Sequence, residues 1–142
     1  MTDTRFDVVG IGNAIVDVLA HAEDSFLQHA GLHKGTMRLI DADTAEALYA
    51  AMGPGLEMSG GSAANTIAAL ASLGGAGAFI GKTRDDQLGQ IFRHDIVSLG
   101  ITHTTQPAAE GPPTARCLIF VSPDAQRTMQ TFLGASAELT EA

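Results

Sequence analysis

The sequence predicts an α/β fold in which a mostly parallel sheet lies between layers of helices. Apolar runs typical of strands alternate along the chain with amphipathic runs typical of helices, and this order favours parallel strands joined by helical crossovers. Sixteen glycines and abundant alanine suit the close packing of helices on a sheet. With 142 residues, 45% hydrophobic and 17% charged, the chain can bury one core. It is predicted to be a single domain or part of a larger one.

The first half of the chain is predicted to hold three strands and two helices. The strands are expected at residues 6–12, 16–22 and 36–40. Asp24 is expected to cap a short helix that Gly31 ends, and Asp41 to start a longer helix that ends at Gly53-Pro54-Gly55. The early strands are expected to form a small β-layer separate from the main sheet.

The next segment is Ser59-Gly60-Gly61-Ser62-Ala63-Ala64-Asn65, where two glycines end an irregular loop and an alanine-rich helix begins at once. Glycine lets a backbone approach a ligand closely, and the helix points its unpaired N–H groups and positive dipole end at the same place. This arrangement suits a polar, hydroxyl-rich or anionic small molecule, with the Asn65 amide within reach. The alternative is a tight loop-to-helix junction with Ser62 as the N-cap.

The remaining elements continue the alternation. They are a buried strand at 76–81, a helix from Asp85 to Leu99, a short strand at 101–105, and a hairpin with strands 114–121 and 127–132.

Charge, cysteine content and hydropathy exclude several classes of protein. A formal net charge of −8 without a cluster of Lys or Arg argues against nucleic acid or an anionic membrane as partner. The lone Cys117 cannot form an internal disulfide and agrees with a reducing compartment. The five histidines show no metal-ligand spacing. No signal peptide or membrane-spanning run is apparent, so a cytoplasmic protein is expected.

Four segments of the sequence, taken in their order and spacing, indicate a protein family. They are Gly10-Ile11-Gly12-Asn13-Ala14-Ile15-Val16-Asp17, the segment from Ser59 to Asn65, Ala78-Phe79-Ile80-Gly81-Lys82-Thr83-Arg84-Asp85-Asp86-Gln87-Leu88-Gly89, and Pro113-Thr114-Ala115-Arg116-Cys117. Together they resemble the N-terminal half of the PfkB (ribokinase-like) family of carbohydrate and nucleoside kinases. The chain is most similar to the adenosine-kinase-like branch. The resemblance implies a ribokinase-like three-layer sandwich with a small β-sheet lid, of which residues 1–142 are the N-terminal, substrate-binding half.

The resemblance also implies a substrate-binding set. In the family the acidic residue after the first strand, here Asp17, binds ring hydroxyls of the substrate, with Asn13 close by. Gly60, Gly61 and Asn65 match the family's backbone and amide contacts to the sugar. A carboxylate at a strand end suits the two hydroxyls of a vicinal diol. A turn or cap carboxylate is the alternative for Asp17.

Strands near 16–22, 36–40 and 114–122 would form the lid, which closes over the substrate and excludes water.

Arg127 resembles an arginine that approaches the transferring phosphate in nucleoside-kinase relatives and would stabilise its charge. The alternative is a solvated hairpin cation. Cys117 and Phe132 are expected to pack in the core or lid. Lys82 and Arg84 could be phosphate ligands or simply residues of a polar strand-to-helix loop, and both interpretations stay open.

The family takes its catalytic aspartate from a Gly-Ala-Gly-Asp-type motif and associates magnesium with an Asn-x-x-Glu motif, and neither occurs in this sequence. No catalytic base and no metal ligand is therefore assigned. ATP and Mg²⁺ are implied for the complete enzyme and not for this chain alone. A dinucleotide-binding domain is disfavoured, because Gly10-Ile11-Gly12 lacks the third glycine and the later acidic residue of that fingerprint.

Two functions stay open. The first is the acceptor-binding part of an ATP-dependent sugar or nucleoside kinase, inactive alone. The second is a non-catalytic, truncated domain that binds a ligand or associates with itself. In both, another chain or the missing C-terminal half is expected to cover an exposed hydrophobic sheet edge.

Overall fold

A computed structural model describes residues 4–141 of the chain. The strands are β1 (Val8–Ile11), β2 (Ile15–His21), β3 (Met37–Leu39), β4 (Leu56–Gly60), β5 (Gly77–Ile80), β6 (Ala115–Val121) and β7 (Arg127–Phe132). The helices are α1 (Asp24–His29), α2 (Ala42–Ala51), α3 (Ser62–Ser72) and α4 (Gln87–Ser98), followed late in the chain by a 3-10 helix, Gly134–Glu138. The predicted α/β class is confirmed. Within residues 4–141, no helix combines the length and the apolarity that crossing a membrane requires.

The strands form two sheets. One is the parallel pair β1–β5, and the other has five strands in the order β3-β7-β6-β2-β4. In the five-stranded sheet, β2–β6 and β3–β7 are parallel, while β2–β4 and β6–β7 are antiparallel. The predicted hairpin is β6–β7, and the early strands β2 and β3 lie in the same sheet as that hairpin.

One face of the five-stranded sheet packs on α1 and α2. Its buried core contains Val18, Leu27, Leu118 and Phe120, and the rings of Phe26 and Phe120 lie 5.3 Å apart. Because successive side chains of a strand point to opposite faces, the neighbouring residues of β2, β6 and β7 face the other way. That other face carries Asp17.

A second core joins β1 and β5 to α3 and α4. Ile67 from α3, Phe79 from β5, and Phe92 and Ile96 from α4 are each at most 2% exposed, and the two phenyl rings lie 5.7 Å apart. A Cβ on Gly10 would lie 2.8 Å from Ile67, so glycine is what lets α3 approach β1 this closely. The opposite face of the β1–β5 pair is open among the described residues, with Val9 50%, Ile11 66% and Ile80 39% exposed.

Two expectations about the glycine-rich segment are wrong. The residues before the glycine pair are not an irregular loop: they form the edge strand β4, antiparallel to β2. The N-cap of α3 is Gly61, with φ +94°, and Ser62 is the first helical residue. Pairing with a strand some forty positions earlier is a tertiary interaction, so local composition did not reveal β4.

Other boundaries also differ from the predictions. Glu23 is the N-cap of α1 and Asp24 is its first helical residue, whose carboxylate accepts a hydrogen bond from Lys34 Nζ at 2.9 Å. Asp86, not Asp85, caps α4. The strand expected at 101–105 is reduced to a single bridge between Thr102 and Ala78. The guanidinium of Arg93 donates to the carbonyls of His103 and Thr105, which thus bind a side chain in place of a neighbouring strand.

His103 gives the fold a pH dependence. The ring is 5% exposed, its Nδ1 donates to the carbonyl of Phe79 at 3.0 Å, and its buried Nε2 has no partner among the described residues. Burial lowers the pKa of His103 below its usual 6.5, since it disfavours the charged ring; the bond to Phe79 opposes this and the charge of Arg93 adds to it.

The free energy of unfolding should therefore fall as the pH drops below about 6.5, because the unfolded chain takes up a proton that the folded chain does not. Urea unfolding between pH 5 and 7.5 measures this effect. His103→Gln should flatten the slope near pH 6, and equal slopes in both proteins would refute this prediction.

Candidate active site

Asp17 lies inside β2 on the open face of the five-stranded sheet, paired on both sides, so neither the expected strand-end position nor the turn or cap alternative is correct. The strand register places it in a row that crosses all five strands: Met58, Asp17, Cys117, Thr131 and Leu39. Asp17 is half-buried, and its carboxylate is the only charged group in this row. The Thr131 hydroxyl donates to Cys117 Sγ at 3.3 Å.

The next row on the same face is entirely apolar. It consists of Leu56, Leu19, Ile119, Met129 and Met37. Its two ends are exposed, Leu56 by 64% and Met37 by 57%, whereas Ile119 at its centre is only 5% exposed. The open face therefore places a carboxylate beside an apolar surface, which suits a ligand with hydroxyls at one end and an apolar body at the other.

The glycine pair adjoins Asp17. A Cβ on Gly60 would lie 2.4 Å from the Asp17 carboxyl carbon, so only glycine leaves room for this carboxylate where it stands. At Gly61 a Cβ would lie 2.6 Å from the Asn13 carbonyl oxygen. The positive φ of Gly61 turns the chain directly into α3, where the Asn65 N–H donates to the Gly61 carbonyl at 2.8 Å.

The structure thus brings the predicted site residues around one turn. Gly60 contacts the Asp17 side chain, and Gly61 contacts the backbone of Asn13. Asn65 lies in the first turn of α3, and the side chains of both asparagines are exposed. Their contacts with a ligand stay predictions. Sequence reasoning missed Met58, Thr131 and the apolar row, because only the strand register shows that they share a face with Asp17.

Two opposing effects act on the Asp17 carboxyl. Burial raises the pKa of Asp17 above its usual 3.8, and the positive charge of Arg127 lowers it. Arg127 is exposed at the start of β7 and pairs with Val121 of β6. Its charge therefore acts on the same face as Asp17 from the far end of the hairpin.

The neighbouring thiol is suited to packing. Cys117 is 7% exposed, and burial raises the pKa of its thiol, with the bond from Thr131 opposing and the nearby charge of Asp17 adding to the effect. A neutral thiol is a poor nucleophile, so we expect the Cys117 side chain to pack as a small apolar group beside Asp17.

Lys82 and Arg84, which fit either phosphate ligands or a polar loop, bind backbone carbonyls of the chain itself. Lys82 Nζ donates to the carbonyl of Glu138 at 3.0 Å, and Arg84 donates to that of Gly111. These contacts favour the loop interpretation. In the part of the chain that the structure describes, no three His, Cys, Asp or Glu side chains converge as metal ligands would. We assign no contact to Mg²⁺ or to a nucleotide.

The comparisons with known proteins point to one family. Residues 20–142 match the model of the pfkB family of carbohydrate kinases. The chain is 56% identical to an adenosine kinase from Sinorhizobium meliloti of known structure, with a TM-score of 0.88, over 96% of this chain and 42% of that one. A probable sugar kinase protein from Rhizobium etli CFN 42 is 53% identical, with a TM-score of 0.89, over 96% of this chain and 41% of that one.

Fructokinase from Solanum tuberosum is 28% identical over 106 residues, which are 74% of this chain and 33% of that protein. The chain thus spans well under half the length of these relatives. The strong structural likeness confirms the ribokinase-like fold expected from the resemblance. The chain belongs to the pfkB family of carbohydrate kinases.

Proposed function

We propose that this chain is the acceptor-binding part of an ATP-dependent kinase that phosphorylates a hydroxyl of a nucleoside or sugar, and that it does not complete the reaction alone. The observation that carries the proposal is the contact between Gly60 and Asp17, which holds a half-buried carboxylate at the foot of a glycine turn. A carboxylate in such a place can accept hydrogen bonds from two neighbouring hydroxyls. The Gly61 turn and the amides of Asn13 and Asn65 would complete the polar side of the site.

Among these acceptors we infer a nucleoside. The apolar row beside Asp17 offers a surface for a base, whereas a sugar with hydroxyls all round gains little from burial against methionine and leucine. The adenosine kinase from Sinorhizobium meliloti, which is 56% identical, supports the same choice.

The other residues have supporting roles in this proposal. Arg127 would stabilise negative charge that approaches the open face, and the five-stranded sheet would act as a lid that keeps water from the acceptor. ATP with Mg²⁺ would supply the phosphoryl group in the complete enzyme, and a residue other than Asp17 would act as the catalytic base. We also propose a cytoplasmic location, which the free thiol of Cys117 supports.

Asp17→Asn tests the acceptor site. It is expected to weaken binding of adenosine by roughly 10- to 100-fold, because hydrogen bonds to a charged group contribute about 1.5–3 kcal/mol. Calorimetry with adenosine, ribose and fructose measures the affinities and separates the nucleoside from the sugars. Asp43→Asn, on the exposed surface of α2, is the matched control. If Asp17→Asn leaves the affinity for every ligand unchanged, Asp17 is not in the substrate site.

A second candidate function is self-association without catalysis, and the open face of the β1–β5 pair favours it. We expect the isolated chain to associate through this face, because Val9, Ile11 and Ile80 form an uncovered apolar patch. Ile11→Lys should shift the mass measured by light scattering towards that of the monomer. Leu73→Lys, at an equally apolar but separate position, should not. A monodisperse wild-type monomer with cooperative melting would rule this association out.

A further inference from the structure

The strand that carries Gly60 is held from outside its own sheet. β4 is an edge strand, and the backbone N–H of Ser59 donates to Asp95 Oδ2 of α4 at 2.8 Å. Among residues 4–141 no further strand pairs with β4 on this side, and the Asp95 carboxylate accepts the Ser59 N–H instead. A charge-assisted bond of this length to a backbone N–H is among the stronger hydrogen bonds in proteins.

The helix that supplies this carboxylate is firmly placed. Phe92 and Ile96, three residues before and one after Asp95, are 0% and 1% exposed in the core beneath β5. The side chain of Asp95 is 31% exposed, so it lies at the margin between that core and solvent. Its position is therefore set by the packing of α4.

α4 is also bound to the strand on the other side of β2. The carboxylate of Asp86, the N-cap of α4, accepts the N–H of Thr114, immediately before β6, at 2.9 Å. Since β4 and β6 are the two neighbours of β2 in the sheet, one helix holds both strands that flank Asp17.

The residue that Asp95 holds is adjacent to the site. Ser59 stands between Met58, the cross-strand partner of Asp17, and Gly60, which touches the Asp17 carboxylate. The approach at Gly60 is so close that a small movement of β4 would change what surrounds the carboxylate. We infer that Asp95 is a positioning residue for the acceptor site: by binding the Ser59 N–H it sets Gly60 against Asp17. Its effect on ligand affinity rests on the proposed function, but the hydrogen bond and its effect on Asp17 do not.

The test is NMR on the labelled, ligand-free chain. Wild type should show scalar coupling across the hydrogen bond between Ser59 nitrogen and the Asp95 carboxyl carbon. Asp95→Ala should speed hydrogen exchange at the Ser59 amide by at least about tenfold, because the N–H loses its acceptor. It should also move the titration of the Asp17 carboxyl towards the usual value of 3.8, because water reaches it when β4 moves.

Asp95→Asn retains an oxygen acceptor and should restore most of both readouts. Gln90→Ala, which shortens an exposed side chain on the same helix, is the control and should change neither. The inference is wrong if the Asp17 titration is unchanged in Asp95→Ala. It is also wrong if Asp95→Asn fails to restore the Asp17 titration and the slow exchange of the Ser59 amide. If Asp95→Ala does not fold, the wild-type coupling decides: its presence supports the inference and its absence overturns it. None of these readouts needs a ligand, so a failure to bind adenosine would count against the proposed function alone.

Discussion

Replacing Gly60 with alanine is expected to weaken adenosine binding at least as much as Asp17→Asn does, with little loss of stability. The new Cβ would lie 2.4 Å from the Asp17 carboxyl carbon and 2.6 Å from Oδ1. Those atoms are the end of a side chain, so Asp17 can rotate away at a cost of about 0.5–1.5 kcal/mol and β4 stays paired. The carboxylate would then no longer face the acceptor hydroxyls.

Calorimetry and thermal melting of the same variants separate these effects. The double variant of Gly60→Ala with Asp17→Asn should bind no worse than the weaker single variant, because both changes act on one carboxylate. Gly61→Ala is the contrasting control. Its Cβ would lie 2.6 Å from the Asn13 carbonyl oxygen, a backbone atom, at φ +94°, so it should lower the free energy of unfolding by about 1–3 kcal/mol. Normal affinity in Gly60→Ala would refute the proposed position of the ligand.

Asp86→Ala is expected to lower the free energy of unfolding by about 2–4 kcal/mol, the sum of a lost helix cap and a buried N–H left without an acceptor. The carboxylate accepts the Gly89 N–H at 2.8 Å, the Thr114 N–H at 2.9 Å and the Thr114 hydroxyl at 2.6 Å. Thr114 is 0% exposed, so water cannot replace these bonds without opening the structure.

Urea unfolding measures this loss. The control is Asp85→Ala, since the Asp85 side chain is exposed and only its backbone N–H is bound, to the Ala108 carbonyl. It should change the free energy of unfolding by no more than about 0.5 kcal/mol. Equal effects of the two substitutions would show that the Asp86 network contributes no specific stability.

Elements with strong local signals were predicted well. Asp41 caps α2 through the Thr44 N–H at 2.8 Å, as its place before an amphipathic run indicates. The hairpin β6–β7 follows from two apolar runs around a proline-containing turn. In each case the deciding interaction joins residues only a few positions apart. The α1 cap was misplaced by one residue, since Glu23 is the N-cap and Asp24 in the first turn binds Lys34, ten residues away.

Short-range patterns in the sequence were enough to predict the α/β class and the family, and to propose Asp17, Gly60 and Gly61 as substrate-binding residues. Only the tertiary structure reveals that the segment before Gly60 is a strand, that an apolar row lies beside Asp17, and that Asp95 binds the Ser59 N–H of β4. The physical reason is that register and helix packing join residues tens of positions apart. Those contacts are fixed only when the sheet and its covering helices come together.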